Sequence, residues 1–483
     1  MRSKPINSPK KISKKKQNHL RGEIINSAFQ ENHKNPELLF NIKQNENNVF
    51  IKRIGFNELK KWGFDNNGNL RHESGKFFSI VGAKNKHAVQ PIILQPEHGI
   101  LGIICQMRNG IIQFLMQKKF EPGNINCHQL SPTVQATKSN YTAVHKGKSV
   151  PYLNYFFNDK YYAIIKGLLS EQTKRFFQKK NWNIIINLPP EEEIGIFHNF
   201  KWITIKELLH LIKIDNYVNM NTRSIISGIQ YNMTEVQINI SQAAKFYNQL
   251  NNNYSQSKKG KDLFVSAQNL IETKHSLIDL EFWINNKRKN MDDPAEIIDL
   301  IEIDDLVRTK HRIGITKNNE FDIIALEIKS NREVTHWTQP IARDTCTRIT
   351  GFLIKRINGI LHFLLKSSHE IGSQDGPEFG PTVCGIPLNP KKDNKGSDNY
   401  NKFAKYFIQP NKENCYLSVI QSDEGGRFYR VQNKHLIVIT NDEIDEGDDF
   451  IFASLFQIKS FINKGNYITM EARSIISCIN FFE

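Results

Sequence analysis

The chain has 483 residues, 39% of them hydrophobic and 31 of them Phe, which is enough for a sizeable core and roughly two or three domains. Half of the formal net charge of +16 lies in the first 22 residues, which hold eight Lys and Arg and no acid. We therefore predict a disordered basic tail at residues 1–23. The rest of the chain is rich in Lys and Asn throughout, as an AT-rich coding sequence produces, and a nucleic-acid partner is not expected.

Six cysteines are spread along the chain without a C-x-x-C pair. This spacing argues against a disulfide framework and a structural zinc site, and it favours a reducing compartment. No apolar run approaches the ~18 residues of a membrane span, and the basic N-terminus lacks the hydrophobic stretch of a secretory signal. We therefore expect a cytoplasmic protein without a membrane partner.

In chain order, the first half begins with a helix and a turn predicted between residues 24 and 75. A hairpin is predicted in ILGIICQMRNGIIQFLMQ, because Asn-Gly between β-branched runs is the strongest short-range hairpin signal. A polar loop follows at residues 121–145, and then an apolar strand at 182–187. Isoleucine and leucine at helical spacing predict a helix at 204–212.

The same series of elements returns in the second half. NGIIQFLMQ at residues 109–117 corresponds to NGILHFLLK at 358–366, an offset of 249. The same offset places the Gln-Pro of HAVQP on the Gln-Pro of HWTQP, and RSIIS occurs both at 223–227 and at 473–477. Matches held at nearly one spacing over most of each half indicate a tandem duplication.

Strands with interspersed helices in both copies predict an α+β fold built from two similar modules. We place the first module at residues 24–230 and expect it to hold the chemistry, because it alone carries the long polar loop. Residues 231–307 are predicted to be a linker, in which the apolar spacing of 262–288 favours a helix that bridges the modules. The second module is placed at residues 308–483, and an ancillary site there is an open alternative.

The loop at residues 121–145 reads EPGNINCHQLSPTVQATKSNYTAVH and holds few charges but many amide and hydroxyl groups. A long loop inside a folded chain is usually functional or disordered, and disordered loops are rarely so poor in charge. We predict that this loop binds a polyhydroxylated ligand. The neutral side chains expected to contact the ligand are Asn124, Gln129, Ser131, Thr133, Gln135, Thr137 and Asn140.

Tyr141 and His145 are the groups of this loop best suited to proton transfer, and Glu121 is a further candidate acid or base. A lone histidine is also a common surface or core residue, so both interpretations of His145 stay open. Neither Tyr141 nor His145 has an obvious counterpart in the second half, where the loop diverges after Thr382-Val383.

Trp337 stands in the second half where the first half has Ala88, so the shared fold does not require an indole there. We predict that Trp337 and Gln339 face a ligand, with the indole stacked on a sugar or base, while a core position for Trp337 stays the alternative. Arg332 or Arg427 is expected to hold a phosphate with its planar guanidinium.

Three familiar kinds of site are disfavoured by the sequence. HKGKS at residues 145–149 is similar to the end of a phosphate-binding P-loop, but Thr142 stands where its first glycine is needed and Pro151 disrupts the helix that must follow. No G-x-G-x-x-G and no H-E-x-x-H occur, so neither a Rossmann nucleotide site nor a catalytic metal is expected. Cys127 is interpreted as a structural cysteine rather than a nucleophile.

These motifs together resemble a known family. EPGN, QLSPTVQATKSNYTAVHKGK, the SEQ of residues 170–172 and NYVNMNTRSIIS, with HWTQP, EFGPTV and SDEGGRF in the second half, are similar to motifs of the NDP-hexose 2,3-dehydratases, among them the dTDP-4-keto-6-deoxyglucose enzymes. The resemblance extends over residues 50–483. The sequence departs from the family pattern at Thr173, where glycine follows Ser-Glu-Gln, and at Cys384, where glutamine is frequent.

The resemblance implies two tandem modules similar to the Nudix fold, a homodimer, and a reaction that needs no metal or other cofactor. The Nudix catalytic box, G-x5-E-x7-R-E-x2-E-E, is absent from the sequence, so pyrophosphate hydrolysis is not implied. The implied enzyme is a hydro-lyase of 2,6-dideoxysugar biosynthesis that removes water across C2–C3 of an NDP-4-keto-6-deoxyhexose. A 3-ketoreductase is expected to act on its product, and the nucleotide (dTDP, CDP or GDP) stays open.

That reaction needs a base for the C3 proton, an acid for the departing C2 hydroxyl, and neutral donors for the enolate oxygen. The hypothesis gives Tyr141 and His145 the proton transfers, with Glu121 as second candidate. The side chains expected to orient the sugar and hold the enolate are Thr133, Gln135, Thr137 and Asn140. The alternative is a non-catalytic nucleotide-sugar or glycan-binding protein, for which the same polar loop would serve.

Overall fold

The computed structural model describes residues 9–11, 13–29, 36–40, 49–137, 150–250, 257–291, 293–316, 321–330, 335–388 and 402–482. Within these residues the protein is a mixed α+β structure in which sheets predominate, and the predicted class is confirmed. The order of strands and helices in the first half returns in the second.

The elements of the described residues are as follows. The strands of the first half and the connecting region are β1 (Lys10–Lys11), β2 (Phe50–Ile54), β3 (Trp62–Phe64), β4 (Leu70–His72), β5 (Ser79–Lys84), β6 (Val89–Leu94), β7 (Gly99–Arg108), β8 (Ile111–Phe120), β9 (His128–Ser131), β10 (Val134–Ala136), β11 (Tyr162–Ser170), β12 (Phe176–Phe177), β13 (Lys180–Leu188), β14 (Phe200–Thr204) and β15 (Glu296–Ile298). The strands of the second half are β16 (Leu306–Arg308), β17 (Ile313–Ile315), β18 (Phe321–Lys329), β19 (His336–Asp344), β20 (Arg348–Ile357), β21 (Ile360–Ser368), β22 (Glu378–Gly380), β23 (Val383–Pro387), β24 (Cys415–Ser422), β25 (Gln432–Ile439) and β26 (Phe450–Ser454). The helices are α1 (Lys14–Ala28), α2 (Ile205–Ile212), α3 (Met220–Ser227), α4 (Ile240–Leu250), α5 (Lys258–Ser266), α6 (Leu277–Lys289), α7 (Lys405–Ile408), α8 (Leu455–Lys464) and α9 (Met470–Ile476).

Two large sheets share one strand arrangement. The first has the order β1-β11-β13-β7-β8-β14, with β10 paired to β7 and β9 paired to β8. The second has the order β22-β21-β20-β25-β24, with β23 paired to β20 and β26 paired to β21. Both contain a parallel pair at the same place, β13 with β7 and β25 with β20. Apart from β1, each strand of the first sheet therefore has a counterpart in the second.

The hairpins predicted from Asn-Gly are confirmed in both halves. Asn109 and Gly110 join β7 to β8, and Asn358 and Gly359 join β20 to β21. All four residues have positive φ, at 51°, 76°, 50° and 82° in chain order. Left-handed backbone at both central residues matches the twist of the flanking strands, and Asn and Gly adopt it with the least strain.

The helix predicted at residues 204–212 is α2, and the Thr204 hydroxyl caps its first turn by accepting a backbone N–H. The corresponding helix α8 is capped in the same way by Ser454. The apolar faces of the two helices pack into one buried core, which includes Leu208 and Ile458. None of the described helices has the length and apolar character needed to span a bilayer.

The two smaller sheets exchange a strand. One contains β3 to β6 with β12, and the other contains β16 to β19. The strand β2, which precedes the first small sheet, pairs with β18 of the second, and β15, which precedes the second, pairs with β5 of the first. The region 231–307 thus supplies a strand to the first small sheet as well as α4, α5 and α6, and residues 14–23 lie in α1. The two halves interlock through this exchange.

Two buried arginines lie where α3 meets α9. Arg223 and Arg473 each donate Nε–H to a serine of the opposite helix, at 2.9 and 3.1 Å. Arg223 also donates to Ser422 O at 2.6 Å, and Arg473 donates to Ser170 O at 2.5 Å. These reciprocal bonds relate the halves by a pseudo-two-fold axis, and they anchor the two segments that carry the functional side chains described next.

Candidate active site

The segment after β8 packs against a turn from the other half. Gly123 N donates to Gly425 O at 2.7 Å. A Cβ at Gly123 would lie 1.8 Å from Phe428 O, so only glycine permits this approach. The contact brings residues 121–124 of the first half beside the turn at 423–428 of the second.

Two carboxylates meet at this contact and share one amide. Gln135 on β10 donates Nε2–H to Glu121 Oε1 at 2.7 Å and to Glu424 Oε1 at 3.3 Å. Asn219, the N-cap of α3, donates to Gln135 Oε1 at 3.2 Å, and this bond fixes the orientation of the Gln135 amide. We call Glu121, Gln135 and Glu424 the carboxylate cluster.

Glu121 has an oxygen available for proton transfer. The residue is 5% exposed, and Lys119 Nζ lies 3.3 Å from Oε1, where its charge compensates the carboxylate. The other oxygen, Oε2, is buried and has no hydrogen-bond partner among the described residues. A buried carboxylate oxygen without a donor is unusual in a folded protein, and here it is free to accept a proton from a ligand.

The surroundings of Glu424 change its protonation. Its pKa is raised to about 7, mainly by burial and further by the negative charge of Glu121, while Arg427 opposes the shift. At neutral pH this carboxyl is divided between its two forms, so that it is able to donate a proton. A carboxyl with a raised pKa is suited to act as an acid, and the buried, unbonded Oε2 of Glu121 beside it is suited to act as a base.

Two cations lie beside the carboxylate cluster and are held by protein groups. Arg427 donates to Gln95 Oε1 at 3.1 and 3.3 Å, and its guanidinium lies 4.3 Å from the centre of the Phe78 ring. Lys179 Nζ donates to Glu97 O. Among the described residues, no three His, Cys, Asp or Glu side chains lie close enough together to hold a metal ion.

Several residues predicted from the sequence come together at the turn 423–428. Asn124 packs against it so closely that a Cβ at Gly425 would lie 2.2 Å from Asn124 Oδ1. Gln339 donates to Gly426 O at 3.0 Å, and Trp337 donates to Gln339 at 2.9 Å. With Glu121, Gln135 and Arg427, these side chains form a single region, although they come from both halves of the chain.

The remaining polar side chains of the predicted loop point into the fold. Thr133 Oγ1 donates to Leu115 O at 2.5 Å and accepts the Ile104 N–H at 2.9 Å. Gln129 is fully buried and donates to a backbone carbonyl and to a serine hydroxyl of the other half, and Ser131 is buried beside it. These contacts are internal to the protein.

The prediction of one uninterrupted loop at 121–145 was wrong, because residues 128–131 and 134–136 form β9 and β10. Polar side chains are compatible with buried strands where backbone groups satisfy them. Thr137 is half-buried just after β10. The predicted site residues Asn140, Tyr141, His145 and Arg332 lie outside the described residues.

Sequence reasoning missed Glu424, Gln95 and Asn219 as site residues. Glu424 lies in SDEGGRF, one of the motifs that carry the family resemblance, and an acid before two glycines was the available signal. Gln95 and Asn219 carried no comparable signal, because their importance depends on contacts with Arg427 and Gln135.

The contact between residues 121–124 and the turn at 423–428 has a pseudo-symmetric equivalent with different side chains, and we call the shared backbone arrangement the frame. Gly372 N donates to Thr173 O at 2.9 Å, as Gly123 N donates to Gly425 O. The corresponding residues are Glu370 for Glu121, Cys384 for Gln135, Gln172 for Glu424 and Arg175 for Arg427. We call Glu370, Cys384 and Gln172 the second cluster.

The two carboxylates bridged by Gln135 lead to the comparison with known proteins. The sequence model of the family described as NDP-hexose 2,3-dehydratase matches residues 37–229 and 278–479, and so covers both halves. The chain belongs to this family. The resemblance predicted from the motifs is confirmed.

Three relatives carry the name dTDP-4-dehydro-6-deoxy-alpha-D-glucopyranose 2,3-dehydratase. The protein of Amycolatopsis orientalis is 31% identical over 448 residues, which is 90% of this chain and 87% of the relative. That of Saccharopolyspora spinosa is 31% identical over 90% of this chain and 88% of its own length. The Streptomyces violaceoruber protein is 30% identical over 89% and 93%. The similarity therefore extends over nearly the whole of each protein.

Proposed function

We propose that this chain is a hydro-lyase that removes water across C2–C3 of an NDP-4-keto-6-deoxyhexose, with dTDP-4-keto-6-deoxyglucose as its substrate. The observation that supports this most directly is the carboxylate cluster, in which Glu121 and Glu424 share the Gln135 amide and the pKa of Glu424 is raised to about 7. Family membership and the names of the relatives supply the substrate class. A purely binding protein has no need of a proton donor and a proton acceptor side by side.

Glu121 acts as the base in this proposal. The C4 carbonyl acidifies the C3 proton, and Glu121 Oε2 accepts that proton because the oxygen is buried and carries no other hydrogen bond among the described residues. The C3–H electron pair moves into an enolate with its negative charge on O4. Positioned acid–base groups of this kind contribute ~10²–10⁴-fold to the rate.

Glu424 acts as the acid. When the enolate charge returns toward C2, the C2–O bond breaks, and the departing hydroxyl takes the Glu424 proton and leaves as water. The pKa of about 7 keeps part of Glu424 protonated at neutral pH. The enol that remains tautomerises to the 3,4-diketo-2,6-dideoxy sugar.

The side chains that contact the sugar are a smaller set than the sequence predicted. We leave Gln129, Ser131 and Thr133 out of this set, because the Gln129 side-chain N–H groups and the two hydroxyls bond within the protein and all three residues are buried. Thr137 and Asn140 stay candidate donors for the enolate oxygen. Tyr141 and His145 stay candidates for proton transfer alongside the carboxylates.

The test is incubation of the purified protein with dTDP-4-keto-6-deoxyglucose, with mass spectrometry of the products and a 3-ketoreductase with NADPH to trap the labile diketone. A trapped product that has lost one water is expected. The variants Glu121→Gln, Glu424→Gln, Tyr141→Phe and His145→Ala are compared in the same assay. Binding of the sugar nucleotide without any dehydrated product would replace this proposal with the binding-protein alternative.

The setting of the enzyme is proposed on the same basis. We propose that each half has a Nudix-like fold, supported by the repeated mixed sheet followed by a capped helix, α2 or α8. The family resemblance supports a cytoplasmic homodimer whose product passes to a 3-ketoreductase. The proposed division at residues 24–230, 231–307 and 308–483 describes the two copies, while strand exchange joins them.

A further inference from the structure

Trp337 and Gln339 form a hydrogen-bonded chain that ends at the turn carrying Glu424. Both lie on β19, two residues apart and therefore on the same face of the strand. The Trp337 indole donates Nε1–H to Gln339 Oε1 at 2.9 Å, and Gln339 donates Nε2–H to Gly426 O at 3.0 Å. The indole packs beside the buried cluster that contains Phe120 and Ile341. The chain therefore leads from a packed aromatic ring to the active-site turn.

The bond to Gly426 O lies next to the reacting carboxylates. The turn closes on Glu424 O, which accepts the N–H groups of Arg427 and Phe428 at 3.1 and 2.9 Å. A Cβ at Gly426 would lie 3.2 Å from Glu424 Oε1 and 3.7 Å from Glu121 Oε1. Gly426 therefore lies close to both carboxylates, in the turn that carries Glu424.

The orientation of the Gln339 amide depends on the indole. An indole N–H only donates, so the atom it bonds must be the amide oxygen, and the amide nitrogen is then directed at Gly426 O. With the amide reversed, two donors would face each other at one end and two acceptors at the other. Trp337 therefore selects the single orientation in which Gln339 holds the turn.

The pseudo-symmetric position in the first half of the chain provides a comparison. Gln90 corresponds to Gln339 and donates to Lys174 O at 2.6 Å, which anchors the turn of Gln172 in the same way. Ala88 stands at the position of Trp337, so no indole orients the Gln90 amide. The anchor is thus common to both turns, whereas the orienting indole accompanies only the turn that has an acid, Glu424, at the position of Gln172.

We propose that Trp337 and Gln339 are positioning residues, which act on the reaction by holding the Glu424 carboxyl against Glu121 and not by contacting the sugar. The inference rests on the proposed function for its effect on turnover. It replaces the stacking of Trp337 on a ligand that the sequence predicts. Since small misplacements of a catalytic group cost up to about 10²-fold in rate, loss of the anchor is expected to lower kcat by about 10- to 100-fold.

The kinetic test compares Gln339→Ala with Gln90→Ala, its counterpart in the other half. Gln339→Ala is expected to lower kcat by about 10- to 100-fold with little change in KM, whereas Gln90→Ala leaves kcat near that of the unchanged protein. Trp337→Phe keeps a ring but loses the N–H, and it should lower kcat by a smaller factor. The double variant should be no worse than Gln339→Ala, because both changes break one chain of bonds.

Two kinetic outcomes would overturn the inference. One is a rise in KM without loss of kcat in Trp337→Ala, together with unchanged kinetics in Trp337→Phe, which is the behaviour of a ring stacked on the ligand. The other is an equal loss of kcat in Gln339→Ala and Gln90→Ala, which would mean that both anchors serve general stability alone.

Amide hydrogen exchange tests the anchor without any substrate. Gln339→Ala should speed exchange at Arg427 and Phe428, whose N–H groups close the Glu424 turn, and Gln90→Ala should speed exchange at Arg175 and Phe176 instead. Unchanged exchange in Gln339→Ala would refute the anchor. If the unchanged protein fails to dehydrate the sugar, the proposed function falls, and the exchange measurement still decides whether Gln339 holds the turn.

Discussion

The carboxylate cluster and the second cluster occupy equivalent places in the two halves, and they differ in which side chains fill them. In the first, Gln135 bridges Glu121 and Glu424. In the second, Cys384 stands in place of the bridging amide, and Gln172 stands in place of the second acid. The frame is duplicated, while among the described residues the amide that bridges two carboxylates is found in the first cluster, and in the second Glu370 lies near another buried acid, Glu471.

The cations beside the two clusters also differ. Arg427 meets a neutral partner, Gln95, whereas Arg175 is paired with the carboxylate of Asp344. Burial disfavours the charge of Arg175, yet the carboxylates of Asp344 and Asp423 outweigh it and raise the pKa of Arg175. Arg427 also interacts with the charges of Glu424, Glu97 and Glu121, so the two guanidinium groups differ in that Arg175 has a direct ion pair with a carboxylate.

The sizes of the side chains at the two turn contacts differ between the frames. Gly425 leaves room for Asn124, whereas Thr173 and the smaller Ser373 stand at the corresponding positions of the other contact. The backbone contacts of the two turns are the same, with the amide of residue 123 or 372 donated to residue 425 or 173. Complementary changes at the contact therefore preserve the fold while the chemistry at the two places diverges.

The largest difference between the two clusters is expected when an acid is removed from the carboxylate cluster. Glu424→Gln and Glu121→Gln are each expected to lower kcat by about 10³-fold, because neither amide transfers the proton. Steady-state kinetics with the ketoreductase trap measure the loss. Glu370→Gln, the same change at the place of Glu121 in the second cluster, is the matched control. If Glu424→Gln stays within threefold of the unchanged protein, Glu424 is not the acid.

A second change converts the first cluster toward the second. Gln135→Cys removes the amide shared by the two carboxylates, and it is expected to lower kcat by about 10- to 100-fold through misplacement of both acids. The reciprocal change, Cys384→Gln, should leave kcat as it is. Equal effects of the two changes would show that the clusters contribute alike.

The pH dependence of turnover sharpens the assignment of the acid. Glu424 must be protonated to act, and its pKa of about 7 means that kcat falls as the pH rises through 7, by about tenfold per pH unit beyond it. Rates between pH 5.5 and 9 test this limb of the profile. The limb should be absent from the residual activity of Glu424→Gln, and its persistence there would assign it to another group.

The smallest effect on activity is expected from a change at Lys459. The equivalent position in the first half is occupied by Leu209. Lys459 is 3% exposed, donates to Ser227 O at 2.9 Å, and has its pKa lowered to about 7 by burial. From pH 7 toward its ordinary pKa of 10.5, the unfolded chain binds more protons than the folded one. The free energy of unfolding therefore rises with pH, by up to about 1.4 kcal/mol per unit.

Urea unfolding at pH 7, 8 and 9 measures this slope. Lys459→Leu should reduce the slope of the unfolding free energy against pH by up to about 1.4 kcal/mol per unit, which corresponds to one proton, and leave kcat at neutral pH unchanged. An identical slope in the variant would mean that Lys459 stays protonated in the folded protein across this range.

The sequence by itself determined the local elements and the duplication. The Asn-Gly hairpins, the helix at 204–212 and the offset of about 249 residues were all predicted, because they depend on side-chain periodicity and turn residues within short segments. The motifs were also enough to predict the family. Glu121 and Gln135 were identified as candidates from the polar composition around them.

Only the tertiary structure decided which of these residues meet. Glu424 reaches Glu121 because Gly123 allows the two halves to touch backbone to backbone, a contact between segments that are distant in sequence. The exchange of β2 and β15 is likewise a pairing between halves. Thr133 is as polar as Gln135, yet its hydroxyl bonds inside the sheet while the Gln135 amide reaches the acids. Local patterns specify elements, whereas the partner of each polar group depends on how the halves pack.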